Sequence, residues 1–263
     1  MLPFIEITDK LQLPSYGLMA IIGFTLAVGV AFYMATIVRI HEYDVLFASL
    51  YAGLGLIIGA KIVYFITVIP TIADNWEMYK SDFMRLILDG FSGFVFYGGL
   101  IGSLVGIYVY AKRQHMPVGP FYDVAVTAIP VMHGIGRIGC FMAGCCYGMV
   151  YDGPFAITYP ENDIVPMVSE TTRFPMQLIE VLYNLVIFIV VFVLVKKKVM
   201  KTGRVLGIYL VSYSLMRFIL EFFRGDAIRG HFGELSTSQW ISLILFPVGC
   251  YIIFTRKKIF EKQ

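Results

Sequence analysis

The segment NLVIFIVVFVLVKKK (184–198) decides the class of fold, because eleven consecutive apolar residues are followed by three lysines. With the residues before it, this run reaches the roughly 20 mostly apolar residues that a bilayer-spanning helix needs. Runs of the same kind recur along the 263 residues. The sequence therefore predicts an all-α integral membrane protein of about seven transmembrane helices, near 16–38, 46–69, 93–111, 119–135, 177–195, 205–223 and 238–254.

Composition supports a membrane protein and excludes other classes. Hydrophobic residues make up 58% of the chain and charged residues only 15%, whereas soluble domains carry roughly 25% charged residues. The length allows one polytopic membrane domain over 1–263 and no large soluble domain. A net charge of +3 is too small to suggest a nucleic-acid partner. The first fifteen residues contain Glu6 and Asp9 and lack the basic start of a signal peptide, so we expect the first apolar run to be retained.

The distribution of basic residues predicts the orientation. Loops on the same side as the C-terminus hold twelve Lys and Arg residues against three acids, whereas those on the N-terminal side hold seven against twelve acids. Basic residues are enriched on the cytoplasmic side. We therefore expect the N-terminus outside and the C-terminus inside, with extracytoplasmic loops near 70–92 and 136–176.

Charged residues inside spans are costly and are functional candidates by default. In MRFILEFFRGD (216–226), Arg217, Glu221 and Arg224 share one helix face at i, i+4 and i+7. They could simply join helices as an ion-pair ladder. However, two arginines with one acid leave a positive excess, and at this depth a lipid phosphate is the available anion. The spacing therefore favours a phosphate site.

A second candidate segment is HGIGRIGCFMAGCCYG (133–148), which contains five glycines. Glycines disfavour a free-standing helix, and non-helical backbone at membrane depth is tolerated where it lines a cavity. The fourth span should therefore end near 135, at a lipid-accessible central cavity. Arg137 carries the planar fork that suits bidentate phosphate binding. Glycine-mediated helix packing with a snorkelling arginine is the alternative interpretation.

Other candidates are more ambiguous. In GFVFYGGLIGSLVG (93–106), the glycines at 98, 102 and 106 form a ridge typical of helix packing. Tyr97 and Tyr16 lie at the outer ends of their spans, where tyrosine is common at the interface. Asp123 and Glu180 are further intramembrane acids, and Lys61 is a possible partner for either.

Three of the four cysteines, Cys140, Cys145 and Cys146, are clustered, and Cys250 stands apart. Their spacing does not give the paired C-x-x-C of a zinc site, so we predict no metal. A disulfide from Cys140 to one of its neighbours is possible at an outer face, and a structural role is favoured over a catalytic thiol.

Five segments, in order, resemble the bacterial prolipoprotein diacylglyceryl transferases. SYGLMAIIGF is similar to the first-helix segment of that family, and FYGGLIGSLVG to its H-G-G-L-x-G segment. DVAVTAIPVMHGIGRIGCFMAGCCYG resembles the family signature, which runs through G-R-x-G-N to a terminal glycine. FPMQLIEVLYN is similar to the P-x-Q-L-x-E helix, and RFILEFFRGD to a late helix with two arginines and a glutamate. The resemblance covers nearly the whole chain, from about residue 14.

The resemblance implies a reaction in the bacterial inner or plasma membrane, at its outer face. The diacylglyceryl group of phosphatidylglycerol passes to the lipobox cysteine of a prolipoprotein signal peptide, a thioether forms, and glycerol phosphate leaves. No metal or organic cofactor is implied. Matching positions imply that Arg137 binds the phospholipid, that Arg217 is a second essential arginine oriented by Glu221, and that Tyr16 lines the site. The predicted catalytic residues are Arg137, Arg217, Glu221 and Tyr97. The predicted substrate-binding residues are Arg137, Tyr16, Gly98, Gly99, Gly148 and Arg224.

This sequence departs from the family pattern on the acceptor side. Tyr97 stands where the family has histidine, Cys140 replaces the signature asparagine, and Cys145 or Cys146 occupies the acidic position. Tyrosine, with a pKa near 10, suits hydrogen-bond donation better than general-base chemistry. The alternatives are a paralogous transferase with another acceptor, an anionic-lipid transporter or flippase, and a membrane thiol oxidoreductase.

Overall fold

The computed structural model describes residues 2–8, 11–160, 168–226 and 231–255, and this part of the chain is mostly helical. The helices are α1 Ser15–Val38, α2 Glu42–Asp74, α3 Trp76–Ser81, α4 Phe83–Phe91, α5 Phe96–Arg113, α6 Val118–Ala143, α7 Met176–Lys196, α8 Val205–Glu221 and α9 Thr237–Phe254. Three short antiparallel strand pairs accompany them. The pair β1 Phe4–Thr8 with β2 Leu11–Pro14 precedes α1, β3 Ile157–Thr158 with β4 Thr172–Arg173 lies between α6 and α7, and β5 His231–Phe232 with β6 Leu235–Ser236 lies between α8 and α9.

Each of the seven predicted spans coincides with one of these helices. Five of them, α1, α2, α6, α7 and α9, are long and apolar enough to cross a membrane. The other two, α5 and α8, have 18 and 17 residues and carry charges at or near their ends. The described structure is therefore that of a helical membrane protein. Some residues of the charge count, namely Lys10, Arg229 and the basic residues beyond 255, lie outside the described residues.

The predicted end of the fourth span was wrong. Helix α6 continues through the glycine-rich segment to Ala143, eight residues beyond 135, and ends where Gly144 takes a left-handed conformation with φ of 77°. The glycines are tolerated because neighbours pack on them: an added Cβ at Gly134 would lie 3.1 Å from Asn184 Cβ of α7, and one at Gly139 3.0 Å from Met19 Cβ of α1. Tertiary packing thus overrides the low helix propensity of glycine.

The segment predicted as a loop near 70–92 is also largely helical. Helix α2 extends to Asp74, and the short helices α3 and α4 follow it directly. The Asp82 side chain caps α4 by accepting a hydrogen bond from the Arg85 backbone N–H at 3.0 Å. Helix α4 leaves Phe83, Met84 and Leu88 exposed, as expected of a helix that lies in a membrane interface.

Small residues allow the closest helix contact, between α2 and α5. An added Cβ at Gly98 would overlap the carbonyl oxygen of Gly59, and one at Gly102 would overlap that of Gly55. The ridge predicted from the spacing of Gly98 and Gly102 is therefore confirmed as a helix-packing surface. Helices α1 and α6, α6 and α7, and α8 and α9 form the other extensive pairs.

Candidate active site

A single carboxylate lies at the centre of the charged residues. Glu180, in the second turn of α7, is completely buried. Its Oε2 forms an ion pair with Nε of Arg137 from α6, and its Oε1 lies 3.4 Å from Nη1 of Arg217 from α8. Two guanidinium groups from separate segments therefore meet on the carboxylate of a third helix. The resemblance had assigned no role to Glu180.

Arg224, just after the end of α8, also directs its guanidinium group toward this centre. Arg224 Nη1 lies 3.8 Å from Glu180 Oε1, while its Nε and Nη2 donate to the two oxygens of Asp226 at 2.8 and 2.7 Å. The backbone fixes this segment, because Arg224 pairs with Gly148 as an isolated bridge and Gly225 N–H donates to Tyr147 C=O at 3.1 Å. An added Cβ at Gly148 would overlap the carbonyl oxygen of Phe174. Gly148 thus holds the backbone that carries Arg224.

The sequence predicted that the arginines of α8 leave uncompensated positive charge. This prediction was wrong, because the described site contains further acids. Glu221 Oε2 lies 2.5 Å from Arg217 Nη2. Glu180 and Asp226 supply two further carboxylates, so three guanidinium groups face three acids. Buried charges are tolerated when they are paired in this way. The case for anion binding therefore rests on unused donors and not on net charge.

Arg137 has such donors. Its side chain is 11% exposed, against 4% for Arg217 and for Arg224. Among the described residues its side-chain contacts are made through Nε, to Glu180 and to His133 Nε2 at 3.3 Å. A guanidinium has five N–H donors, so both Nη groups of Arg137 are available for a bidentate acceptor such as a phosphate.

His133 lies one helical turn before Arg137 and belongs to the same centre. Its Nε2 is 3.8 Å from Glu180 Oε2, and its ring stacks on Phe96 at a centroid distance of 4.3 Å. Because Arg137 donates to Nε2, the neutral ring carries its proton on Nδ1. That buried Nδ1 has no partner among the described residues. Apart from the spacing of His133 and Arg137 at i, i+4, nothing in the sequence indicated this role.

The two tyrosines predicted at the site have different environments. Tyr97 is 2% exposed, and its hydroxyl lies 2.5 Å from Ser242 Oγ of α9. Since Ser242 donates to the carbonyl of Ser238, Tyr97 is the donor in this bond. Tyr16 is half exposed at the start of α1, and its Cα lies 3.2 Å from the position of an added Cβ at Gly139. Tyr16 therefore borders the α6 segment that carries Arg137, whereas Tyr97 joins α5 to α9.

Gly98 and Gly99 both face α2. An added Cβ at Gly99 would lie 3.2 Å from Leu56 Cγ, and Gly98 contacts Gly59. These contacts account for both glycines by helix packing. Of the other intramembrane charges, Asp123 accepts a hydrogen bond from the Gly203 backbone N–H at 2.9 Å, and Lys61 lies 3.9 Å above the ring of Phe94. The sequence left Lys61 as a possible partner for either Asp123 or Glu180, and in the structure Glu180 pairs with Arg137 and Arg217.

Three thiols border the charged centre. The Sγ atoms of Cys140, Cys145 and Cys146 all lie within 4.8 Å of one another, and none forms a disulfide. Hydrogen bonds from Cys140 and Cys145, together with the nearby guanidinium of Arg137, hold the pKa of the Cys146 thiol well below its ordinary value. The sequence predicted that Cys140 and its neighbours lie close enough for a possible disulfide. The structure instead shows three unbridged thiols, brought together by the left-handed turn at Gly144.

These features define a helical membrane protein with a buried charged centre, in which three arginines from two segments surround one glutamate beside a group of thiols. A family model described as prolipoprotein diacylglyceryl transferase matches residues 3–255. The chain belongs to this family.

Named relatives agree with this assignment. The chain is similar to the phosphatidylglycerol–prolipoprotein diacylglyceryl transferase of Clostridium tetani, with 34% identity over 92% of each chain. It is also similar to the second such enzyme of Clostridium perfringens, at 30% identity over 95% of this chain and 93% of the relative. A third relative, from Streptococcus sanguinis, is 30% identical over 92% of this chain and 91% of its own length.

Proposed function

We propose that this protein is a transferase that moves the diacylglyceryl group of phosphatidylglycerol to the lipobox cysteine thiol of a prolipoprotein. The relatives carry the names of enzymes acting on phosphatidylglycerol and prolipoprotein. The observation that carries the proposal is the meeting of Arg137 and Arg217 on the buried Glu180. This arrangement holds guanidinium groups at membrane depth, where a lipid phosphate can reach them.

The proposed chemistry is displacement of a phosphate leaving group. The acceptor sulfur attacks the diacylglycerol carbon that bears the phosphate ester, a C–S bond forms, and the C–O bond breaks. The bonding electrons leave with the phosphate oxygen, the thiol proton passes to water, and glycerol phosphate is released. Arg137 contributes two Nη donors to the phosphate, and Arg217 and Arg224 stabilise the charge that develops on it. Glu180 keeps the three guanidinium groups close together and limits their mutual repulsion.

We also propose seven spans with the N-terminus outside. Basic side chains such as Arg39, Lys112 and Lys196 lie at the C-terminal ends of α1, α5 and α7, which share one end of the helix bundle. The charged centre lies at the opposite end, where α6 and α8 finish and α7 begins. Because basic residues are retained in the cytoplasm, the centre would face the outer side of a bacterial inner or plasma membrane.

Purified protein supplied with phosphatidylglycerol and a lipobox peptide tests the proposed reaction. We expect a peptide product heavier by one diacylglyceryl group, joined through a thioether, in mass spectrometry. A peptide with serine in place of the acceptor cysteine should give no product. Phospholipid movement between leaflets without any covalent product would overturn the transferase proposal and favour the transporter.

Alanine variants test whether the reaction depends on the arginines of the charged centre. Arg137→Ala and Arg217→Ala should each lower turnover by about 100-fold or more, since each removes charge-stabilising donors. Arg113→Ala is the matched control, because Arg113 is an exposed arginine at the other end of the bundle. Equal losses in all three variants would show that the effect is not specific to the charged centre.

A further inference from the structure

The three clustered thiols have a geometry that the transferase proposal does not use. Cys140 lies one helical turn after Arg137 on α6, and so shares its face. Gly144 then reverses the chain with a left-handed φ of 77°, and Cys146 adopts a φ of 59°. These two turns bring Cys145 and Cys146 back to Cys140, with all three Sγ atoms within 4.8 Å.

The cluster is held in place by its neighbours. Cys145 N–H donates to Cys140 C=O at 3.1 Å, which closes the turn after α6. Gln177 of α7 donates from Nε2 to Cys145 C=O at 2.9 Å, and also accepts a hydrogen bond from the buried Tyr159 hydroxyl at 3.0 Å. Gln177 lies one turn before Glu180 on the same helix face. The thiols and the charged centre are therefore positioned by the same part of α7.

The donor set fits a thiophilic divalent cation. Thiolates bound to one Zn²⁺ at about 2.3 Å in tetrahedral geometry are about 3.8 Å apart. The three Sγ atoms all lie within 4.8 Å of one another, a range that includes this separation. Three thiolates on a divalent ion carry a net negative charge, and the guanidinium groups of Arg137 and Arg224 are close enough to Cys146 to offset it. Three protein ligands also leave the fourth position of the ion open, as in catalytic zinc sites.

We propose that Cys140, Cys145 and Cys146 bind a thiophilic divalent cation such as Zn²⁺, and that its open position takes the acceptor cysteine as a thiolate. The second part rests on the proposed function. Coordination releases the thiol proton to water. The bound sulfur then supplies the electron pair for the new C–S bond, and the electrons of the broken C–O bond leave with glycerol phosphate. No oxidant or reductant is required.

This arrangement divides the reaction between neighbouring groups. A thiolate is a far better nucleophile than a thiol, and a bound cation generates it without a general base. Arg137 lies one turn from Cys140 and so places the phospholipid phosphate beside the acceptor sulfur. Proximity of two lipid-anchored substrates is itself a large contribution to rate. The sequence-based prediction of no metal is revised by this inference.

Cobalt binding tests the metal site independently of activity. The full-length protein is purified in detergent with a chelator and a reductant, and then titrated with Co²⁺. We expect about one Co²⁺ per chain, with the intense near-ultraviolet absorption of thiolate-to-cobalt charge transfer, and loss of that absorption on adding Zn²⁺. Cys140→Ser, Cys145→Ser and Cys146→Ser should each weaken the absorption, whereas Cys250→Ser, on α9, should retain it. Absence of thiolate-to-cobalt absorption in the wild-type protein would overturn the proposal.

Protection from alkylation tests the site without any variant, in case a serine variant does not fold. With Zn²⁺ present, N-ethylmaleimide should modify Cys250 while the clustered cysteines react more slowly, as quantified by peptide mass spectrometry. Chelation should remove that protection. Equal modification of the cluster with and without Zn²⁺ would contradict metal binding.

Addition of acceptor peptide tests the second part. A lipobox peptide with cysteine should shift the visible cobalt bands, and the serine peptide should not. Identical spectra with both peptides would overturn thiolate activation while leaving the metal site in place. Transfer at the wild-type rate by a variant with serine at all three clustered positions would also overturn thiolate activation. It would leave the transferase proposal intact. Cobalt binding through the cluster without any thioether product would instead count against the transferase proposal alone.

Discussion

Arg217 Nη1 of α8 lies 3.4 Å from Glu180 Oε1 of α7, and the glutamate is completely buried. The same carboxylate also pairs with Arg137 of α6. This shared carboxylate joins the three helices at one depth. It explains how guanidinium groups persist in an apolar bundle, because each has a partner there, and it makes Glu180 the residue on which the geometry of the site depends most.

Glu180→Ala should therefore be strongly destabilising. Removal of one partner from a buried ion-pair network leaves uncompensated charge and typically costs about 3–5 kcal/mol. We expect a lower midpoint of thermal unfolding in detergent and loss of turnover. Glu77→Ala, in the exposed part of α3, is the control and should change neither. A Glu180→Ala protein as stable and active as wild type would show that the arginines do not depend on this carboxylate.

Arg137→Lys tests whether the shape of the guanidinium matters as well as its charge. Lysine keeps one positive charge but loses the planar fork that binds a phosphate through two parallel hydrogen bonds. Loss of one charge-assisted bond of about 1.5–3 kcal/mol corresponds to a fall in turnover of about 10- to 160-fold. Steady-state rates with phosphatidylglycerol measure this. Wild-type turnover in the lysine variant would remove the geometric argument for Arg137.

Tyr97→Phe tests the role of the hydroxyl that the structure directs to Ser242. We expect a loss of stability of about 1 kcal/mol, typical of one hydrogen bond, and a fall in turnover of less than about tenfold. Ser242→Ala should have a similar effect, and the double variant should lose less than the sum of the two. Thermal unfolding of the four proteins measures this coupling. A much larger loss of turnover in Tyr97→Phe than in Ser242→Ala would instead indicate a catalytic role.

Gly102→Val should disrupt the contact between α2 and α5, because an added Cβ would overlap the carbonyl oxygen of Gly55. Overpacking of this kind costs about 1–3 kcal/mol or more. Gly53→Ala is the matched control on α2, since a Cβ there meets nothing within 4 Å. Alanine at a helix-interior glycine should be neutral or slightly stabilising. Comparable midpoints of thermal unfolding for both variants would contradict the packing role of Gly102.

The sequence predicted the helices better than the site. Each predicted apolar run is a helix in the structure. A membrane-spanning helix needs a contiguous apolar stretch, and such a stretch is visible in the sequence itself. The end of α6 could not be read in this way, since the glycines at 134 and 139 are stabilised by residues of α7 and α1. Local propensity alone therefore placed the end of this helix eight residues too early.

For the site, the sequence did not show which residues from distant segments contact one another. Arg137 and Arg217 were recognised as candidates from their depth and type, but their meeting on Glu180 depends on how α6, α7 and α8 pack. The arginines of α8 were a usable signal, because buried guanidinium groups need acidic partners and Glu180 was an unassigned intramembrane acid. For the thiols, the sequence predicted proximity in the form of a possible disulfide from Cys140. It did not predict a group of three unbridged thiols, which depends on the backbone turns at Gly144 and Cys146.

Retention of lipid by the purified protein tests the central claim most directly. The protein is released from nanodiscs that contain phosphatidylglycerol and phosphatidylcholine, and bound lipid is identified by native mass spectrometry. The account predicts that wild-type protein and Arg113→Ala retain phosphatidylglycerol, and that Arg137→Ala and Arg217→Ala lose it. Retention of phosphatidylglycerol by both of these variants at the wild-type level would contradict the assignment of the arginine centre as the phosphate site.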